Sequence, residues 1–153
     1  MKIYFASDHA GFEMKNTLIE YVKELGYETE DCGVYKLNLD DDYPEFVKKA
    51  AQAVSEATDG SRAIVLGGSG QGEAIVANRF QNIKAAVYYG GNLKIIKLSR
   101  EHNDANILSL GARFLSLDEA KEAVKLWMET AFSNEERHIR RISKIENLMK
   151  IKN

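Results

Sequence analysis

The residues best suited to chemistry are four glycines and an acid in one short segment. Residues 67–73 read Gly-Gly-Ser-Gly-Gln-Gly-Glu and lie between the apolar runs 63–66 and 74–77. The pattern predicts a buried strand, a glycine turn and a helix start, where bare backbone N–H groups favour an anion. Such amides could hold an oxyanion while a carboxylate takes a proton from carbon, so Glu73 is a candidate base. Acids are also favoured in any first helical turn.

Two of the three histidines lie in predicted turns next to strands. Asp8 and His9 follow the first predicted strand, and His102 begins the run His-Asn-Asp before the fifth. Asp8 could serve only as a helix cap, and Asn and Asp are common turn residues, so the histidines are the less expected ones. Because histidine titrates near neutral pH, their placement indicates proton transfer.

Three arginines could bind a phosphate. Arg137 and Arg141 are four residues apart, so they share a helical face beside the apolar positions Ile142 and Ile145. Arg113 follows the fifth predicted strand. A solvated basic face is the alternative interpretation, but three guanidinium groups and a glycine turn together suit a phosphorylated ligand.

The apolar periodicity predicts strands that alternate with helices and position these residues. The predicted strands are residues 2–7, 27–31, 63–66, 84–89 and 107–110, and a last helix covers 135–150. Ser116 and Glu119 predict a capping box for the helix before it. The alternation indicates a three-layer α/β fold, a doubly wound, Rossmann-like, five-stranded parallel sheet of order 2-1-3-4-5. In that order strands 1 and 3 are neighbours, so their carboxyl ends bring Asp8 and His9 close to the glycine turn.

Composition and charge narrow the classes of function that this chain could have. The 153 residues fit one domain, 1–153, and a formal net charge of -2 argues against a general nucleic-acid binder. The single cysteine, Cys32, cannot form an internal disulfide, and no Cys/His cluster has zinc spacing, so no metal or other cofactor is expected. No apolar stretch reaches the roughly 20 residues of a membrane span and no signal peptide is recognisable, so the expected location is the cytoplasm.

The glycine turn excludes several nucleotide-dependent classes. No Lys-Ser/Thr pair follows it, as a Walker loop requires, and its spacing misses the dinucleotide fingerprint. A signalling receiver domain would need an aspartate at the end of strand three, where Gly67 stands. A phosphosugar-binding module without catalytic activity stays open as an alternative to an enzyme.

Seven motifs occur along nearly the whole chain. They are residues 7–11 (SDHAG), 42–44 (DYP), 67–73 (GGSGQGE), 77–79 (ANR), 99–106 (SREHNDAN), 111–113 (GAR) and 137–141 (RHIRR). With these motifs the chain resembles the sugar-phosphate isomerase family that includes ribose-5-phosphate isomerase B and the galactose-6-phosphate isomerase subunits. The resemblance implies an aldose–ketose isomerase of the pentose phosphate pathway, which converts ribose 5-phosphate to ribulose 5-phosphate through a cis-enediolate without a metal.

The resemblance also implies roles for the matching residues. Glu73 would be the base, and His102, with Asp8 nearby, would assist opening of the sugar ring. The implied support for the enediolate is Ser69 with the amides of Gly68, Gly70 and Gly72. The other implied substrate ligands are Asn103 for a sugar oxygen, Tyr43 for a pocket wall, His9, and a phosphate clamp of Arg113, Arg137 and Arg141.

One position departs from many family members. They carry a cysteine base at the start of the turn, where this chain has Gly67, whereas a second branch carries a glutamate in the place of Glu73. The resemblance is therefore to the glutamate branch. Family members form dimers, often dimers of dimers, whose pockets take residues from two subunits, and helix 135–150 is expected at that interface. Allose 6-phosphate and galactose 6-phosphate remain alternative substrates.

Overall fold

Five parallel strands form one sheet at the centre of the molecule. In the computed structural model they are β1 (Lys2–Ser7), β2 (Glu28–Asp31), β3 (Arg62–Gly67), β4 (Ala85–Tyr88) and β5 (Ile107–Gly111). The structure describes residues 1–150, without the side chains of 149 and 150, so residues 151–153 of the predicted domain lie outside the described residues. The predicted parallel sheet is confirmed, and β1 has the predicted bounds.

Helices cover both faces of the sheet. They are α1 (Phe12–Glu24), α2 (Pro44–Glu56), α3 (Gln71–Ala77), α4 (Lys94–Glu101), α5 (Leu117–Glu129) and α6 (Glu136–Lys150). Apolar residues of α1, α4 and α5 pack on one face of the sheet, around Trp127, while those of α2 and α3 pack on the other. The predicted three layers are thus confirmed, as is the capping box of Ser116 and Glu119 on α5. Every helix in the described part of the chain is too short or too polar to cross a bilayer.

The predicted strand order was wrong for the last two strands. The observed order is β2-β1-β3-β5-β4, so β5 inserts between β3 and β4. All residues of β5 are buried, whereas Ala85, Ala86 and Val87 of β4 are only half-buried. The more apolar strand therefore occupies the centre and the weaker one the edge. The predicted pairing of β1 with β3 is confirmed, with Ser7 opposite Leu66 at the carboxyl ends.

Candidate active site

The glycine turn connects β3 to α3 and packs directly on β5. Gly70 caps α3 with a left-handed backbone (φ 75°), and its carbonyl accepts a 2.5 Å hydrogen bond from the hydroxyl of Ser109. A Cβ on Gly70 would lie 2.9 Å from the carbonyl carbon of Leu110. Both the backbone conformation and the close approach therefore require glycine at this position.

The carbonyls of Gly67, Gly68 and Gly70 accept hydrogen bonds, whereas several amides of the turn have no acceptor among the described residues. The amides of Ala112 and Arg113, just beyond β5, donate to the carbonyls of Gly67 and Gly68 at 2.8 and 3.1 Å. Within residues 1–150, the amides of Gly68, Ser69 and Gly70 donate to no other group of the chain. The turn is thus fixed through its acceptors, which leaves these donors available to an anionic ligand.

The carboxylate of Glu73 is buried at the base of this turn. Glu73 is only 3% exposed, although it lies in the first turn of α3. Burial raises the pKa of Glu73 above its ordinary value, its own backbone N–H opposes that change, and the nearby charge of Asp8 adds to it. A carboxylate in this environment is more basic than one in water, as a general base requires.

A cavity of about 510 Å³ opens above Glu73 and collects predicted residues from four loops. Tyr43 closes one side, since a Cβ on Gly72 would lie 2.5 Å from its hydroxyl oxygen. Arg113 closes another, because its Nη1 lies 3.2 Å from the position of a Cβ on Gly68. The lining residues are Asp8, Tyr43, Gly68, Ser69, Gln71, Gly72, Glu73, Ile75, Arg113 and Phe114.

Asp8 lines this cavity, and His9 is the next residue along the chain. The carboxylate of Asp8 accepts the amides of Ala10 (2.9 Å) and Gly11 (3.3 Å), so Asp8 caps the short helical turn that follows it. Nδ1 of His9 lies 2.7 Å from Oδ1 of Asp41. One ligand atom from each of Asp8, His9 and Asp41 lies within 4.8 Å of the others, which is close enough for a cation, but these hydrogen bonds already engage all three side chains.

The other predicted residues form a second group around a cavity of about 400 Å³. His102, Asn103 and Arg141 line it together with His138. The imidazole rings of His102 and His138 lie 4.2 Å apart at an angle of 31°, and burial lowers the pKa of His138. Arg137 precedes His138 on α6 and lies at the surface, where its Nε forms a 2.8 Å salt bridge with Oε2 of Glu135.

The two groups lie at opposite ends of the parallel strands, called here the carboxyl edge and the amino edge of the sheet. Glu73 follows the carboxyl end of β3, whereas His102 ends α4 and precedes the amino end of β5. The length of β5 alone, about 16 Å at 3.3 Å per residue, separates these edges. Asp8, Tyr43, Ser69, Glu73 and Arg113 are therefore brought together around one cavity of a single chain, and His9 adjoins them through Asp8. His102, Asn103 and Arg141 are not brought to them in the same chain.

Two residues of these sites were not predicted. Asp41 contacts His9, but it stands in the acidic run 40–42, whose composition is typical of a solvated loop. His138 contacts His102, but it lies among the arginines of α6. For His138 a signal existed, because it belongs to the motif 137–141.

Comparisons with known proteins agree on one family. A model described as ribose/galactose isomerase matches residues 3–145. Ribose-5-phosphate isomerase B of Mycobacterium tuberculosis is 41% identical over 142 residues, which cover 93% of this chain and 86% of the relative. The crystal structure of ribose-5-phosphate isomerase B from Mycoplasma genitalium with bound ribulose 5-phosphate has a TM-score of 0.92 at 32% identity, over 97% of this chain and 96% of that chain. The Clostridium thermocellum enzyme of the same name has a TM-score of 0.91 at 41% identity, over 100% of both chains.

Proposed function

Because this chain belongs to the ribose/galactose isomerase family, we propose that it interconverts ribose 5-phosphate and ribulose 5-phosphate. The observation that carries the proposal is the buried carboxylate of Glu73, which borders a cavity beside free turn amides. We further propose that the whole chain acts as one catalytic domain, with this reaction serving the pentose phosphate pathway.

Glu73 would act as the base in both halves of the reaction. It takes the proton from C2 of the linear aldose, and the electron pair of that C–H bond forms the double bond between C1 and C2. Negative charge then develops on O1, a proton moves from O2 to O1, and Glu73 returns its proton to C1. One carboxylate can serve both carbons because they are adjacent in a cis-enediolate.

The glycine turn would stabilise the charge of the enediolate. The amides of Gly68, Ser69 and Gly70 are fixed in position and donate to no other group among residues 1–150. Such preorganised donors are worth roughly 3–4 kcal/mol each in the transition state. The hydroxyl of Ser69, which borders the same cavity, supplies a further donor.

Two copies of the chain would complete each pocket. Ring opening by His102, sugar binding by Asn103 and phosphate binding by Arg137 and Arg141 all reside at the edge opposite Glu73. A two-fold dimer places one edge of a subunit against the other edge of its partner and so forms two equal pockets. Ile139, Ile145 and Leu148 of α6 expose 49%, 51% and 63% of their surface, which suits α6 to this interface.

The test is an isomerase assay of the purified chain on ribose 5-phosphate, allose 6-phosphate and galactose 6-phosphate, with Glu73→Gln as the variant. Ribose 5-phosphate should give the highest kcat/KM, and Glu73→Gln should lower kcat at least about 100-fold, the usual contribution of a general base. Glu45→Gln is the matched control, because Glu45 lies in the first turn of α2 and is exposed. Turnover near wild type in Glu73→Gln contradicts the proposed base, and a preference for a hexose phosphate contradicts the proposed substrate.

A further inference from the structure

The side chain of Asp41 is held between the backbone and the ring of His9. Its Oδ1 lies 3.1 Å from the backbone nitrogen of His9 and 2.7 Å from Nδ1 of the imidazole. The Asp41 side chain is only 5% exposed, and its Oδ2 is buried with no hydrogen-bond partner among the described residues. Burying a carboxylate is costly unless local hydrogen bonds compensate, so Asp41 does more than make the loop polar.

These contacts determine which nitrogen of His9 is available. An ionised carboxylate only accepts hydrogen bonds, so Nδ1 of the neutral ring must carry the proton that points to Asp41. Nε2 is then left without a proton in the neutral ring and is free for a ligand. We propose that Asp41 is a positioning residue that fixes the tautomer and the orientation of His9 towards the substrate.

The contact also connects the long segment between β2 and α2 to the turn after β1. Asp41 stands 32 residues after His9, at the end of the long segment that joins β2 to α2. Tyr43, two residues further on, packs against Gly72 of the glycine turn. The Asp41–His9 hydrogen bonds therefore join this segment to the turn after β1 at the same time as they orient the imidazole.

A purely structural role for Asp41 would leave the imidazole unaffected, so the tautomer is the informative measurement. Nitrogen-15 shifts of His9 in the full-length protein should show the proton on Nδ1 in wild type and on Nε2, the commoner form, in Asp41→Ala. Asp41→Asn should keep the proton on Nδ1, because the backbone N–H of His9 requires an oxygen at the position of Oδ1. Asp40→Ala is the control, since Asp40 is exposed and only its backbone nitrogen bonds within the loop.

The kinetic arm rests on the proposed function and uses ribose 5-phosphate as the probe. Asp41→Ala should raise KM roughly tenfold, the size of one charge-assisted hydrogen bond, and should have little effect in a His9→Ala background. A wild-type protein that does not turn over ribose 5-phosphate would contradict the proposed function, while the nitrogen-15 shifts would still decide the role of Asp41. The proposal is overturned if Asp41→Ala leaves the proton on Nδ1, or if its effect on KM is the same with and without His9.

Discussion

The carboxyl group of Glu73 occupies the space directly over Gly67. A Cβ on Gly67 would overlap the carboxyl carbon and both carboxyl oxygens of Glu73. The resemblance to the family implies that many members carry a cysteine at the position of Gly67. A side chain at position 67 and the buried carboxylate of Glu73 therefore compete for one volume, so a cysteine at position 67 and the proposed base Glu73 would be alternatives rather than partners.

Gly67→Ala should destabilise the protein and lower its turnover. The added methyl group displaces the Glu73 carboxylate from its buried position, and overpacking of this kind costs about 1–3 kcal/mol. Urea unfolding and isomerase assays measure the two effects. The double variant Gly67→Ala/Glu73→Ala is the control, because shortening Glu73 removes the overlap. The stability effect of Gly67→Ala should then nearly vanish, and equal effects in both backgrounds would refute the shared volume.

The ionisation of Glu73 should make the protein less stable as the pH rises. Burial raises the pKa of Glu73 above its ordinary value of 4.5, so the unfolded chain releases this proton at a lower pH than the folded one. The stabilising contribution is complete below the unfolded pKa and is lost as the pH rises through the folded pKa. Relative to Glu73→Gln, wild type should lose stability as the pH rises above about 4.5, as measured by urea unfolding. A constant difference between the two proteins would contradict the raised pKa.

Catalysis should depend on the same ionisation with the opposite sign. Only the ionised carboxylate accepts a proton, so kcat should fall as the pH drops through a pKa above 4.5. A pH profile of kcat for ribose 5-phosphate locates this limb. The Glu45→Gln control, altered at an exposed acid, should keep the limb unchanged. An acid limb at or below 4.5 would show that the burial of Glu73 does not raise its pKa in the enzyme–substrate complex.

The sequence predicts the layers of this fold better than the neighbours within the sheet. Apolar runs and capping residues are local, so the strands and the three layers follow from them. Strand order depends on which strand would expose more apolar surface at the edge of the sheet. That requires a comparison of Ala85–Tyr88 with the more apolar Ile107–Gly111, which are far apart along the chain. The sequential order 2-1-3-4-5 places the more apolar strand at the edge, and for that reason it is wrong.

The candidate site was predictable in its residues and not in its geometry. Glycines, histidines and an acid at strand ends indicated Asp8, His9 and Glu73 as candidates. The direction of the Glu73 side chain depends on the empty volume above Gly67, which no local pattern expresses. Asp41 was missed for the same reason, because its contact with His9 spans 32 residues.

Mixed dimers should regain activity that each parent lacks. Glu73→Gln and His102→Ala remove residues from opposite edges, so one of the two pockets in a mixed dimer keeps both residues. Equal mixing after reversible dissociation should give about a quarter of wild-type turnover. Glu73→Gln mixed with Ser69→Ala is the control, since both residues line one cavity of the same chain and no pocket becomes intact. Recovery of activity in the control mixture, or no recovery in the mixture of Glu73→Gln with His102→Ala, would contradict pockets shared between subunits.

The stability of the protein should depend unequally on the two partners of the buried Lys15–Asp31 ion pair. Lys15 is fully buried and its Nζ lies 2.6 Å from both carboxylate oxygens of Asp31, whose side chain is 30% exposed. Asp31→Ala leaves a buried ammonium group with the carbonyl of Val34, so it should cost about 3–5 kcal/mol. Lys15→Met leaves a carboxylate that water can reach and should cost clearly less. Urea unfolding measures both, the exposed Lys48→Met sets the baseline, and equal losses at Lys15 and Asp31 would contradict the asymmetry.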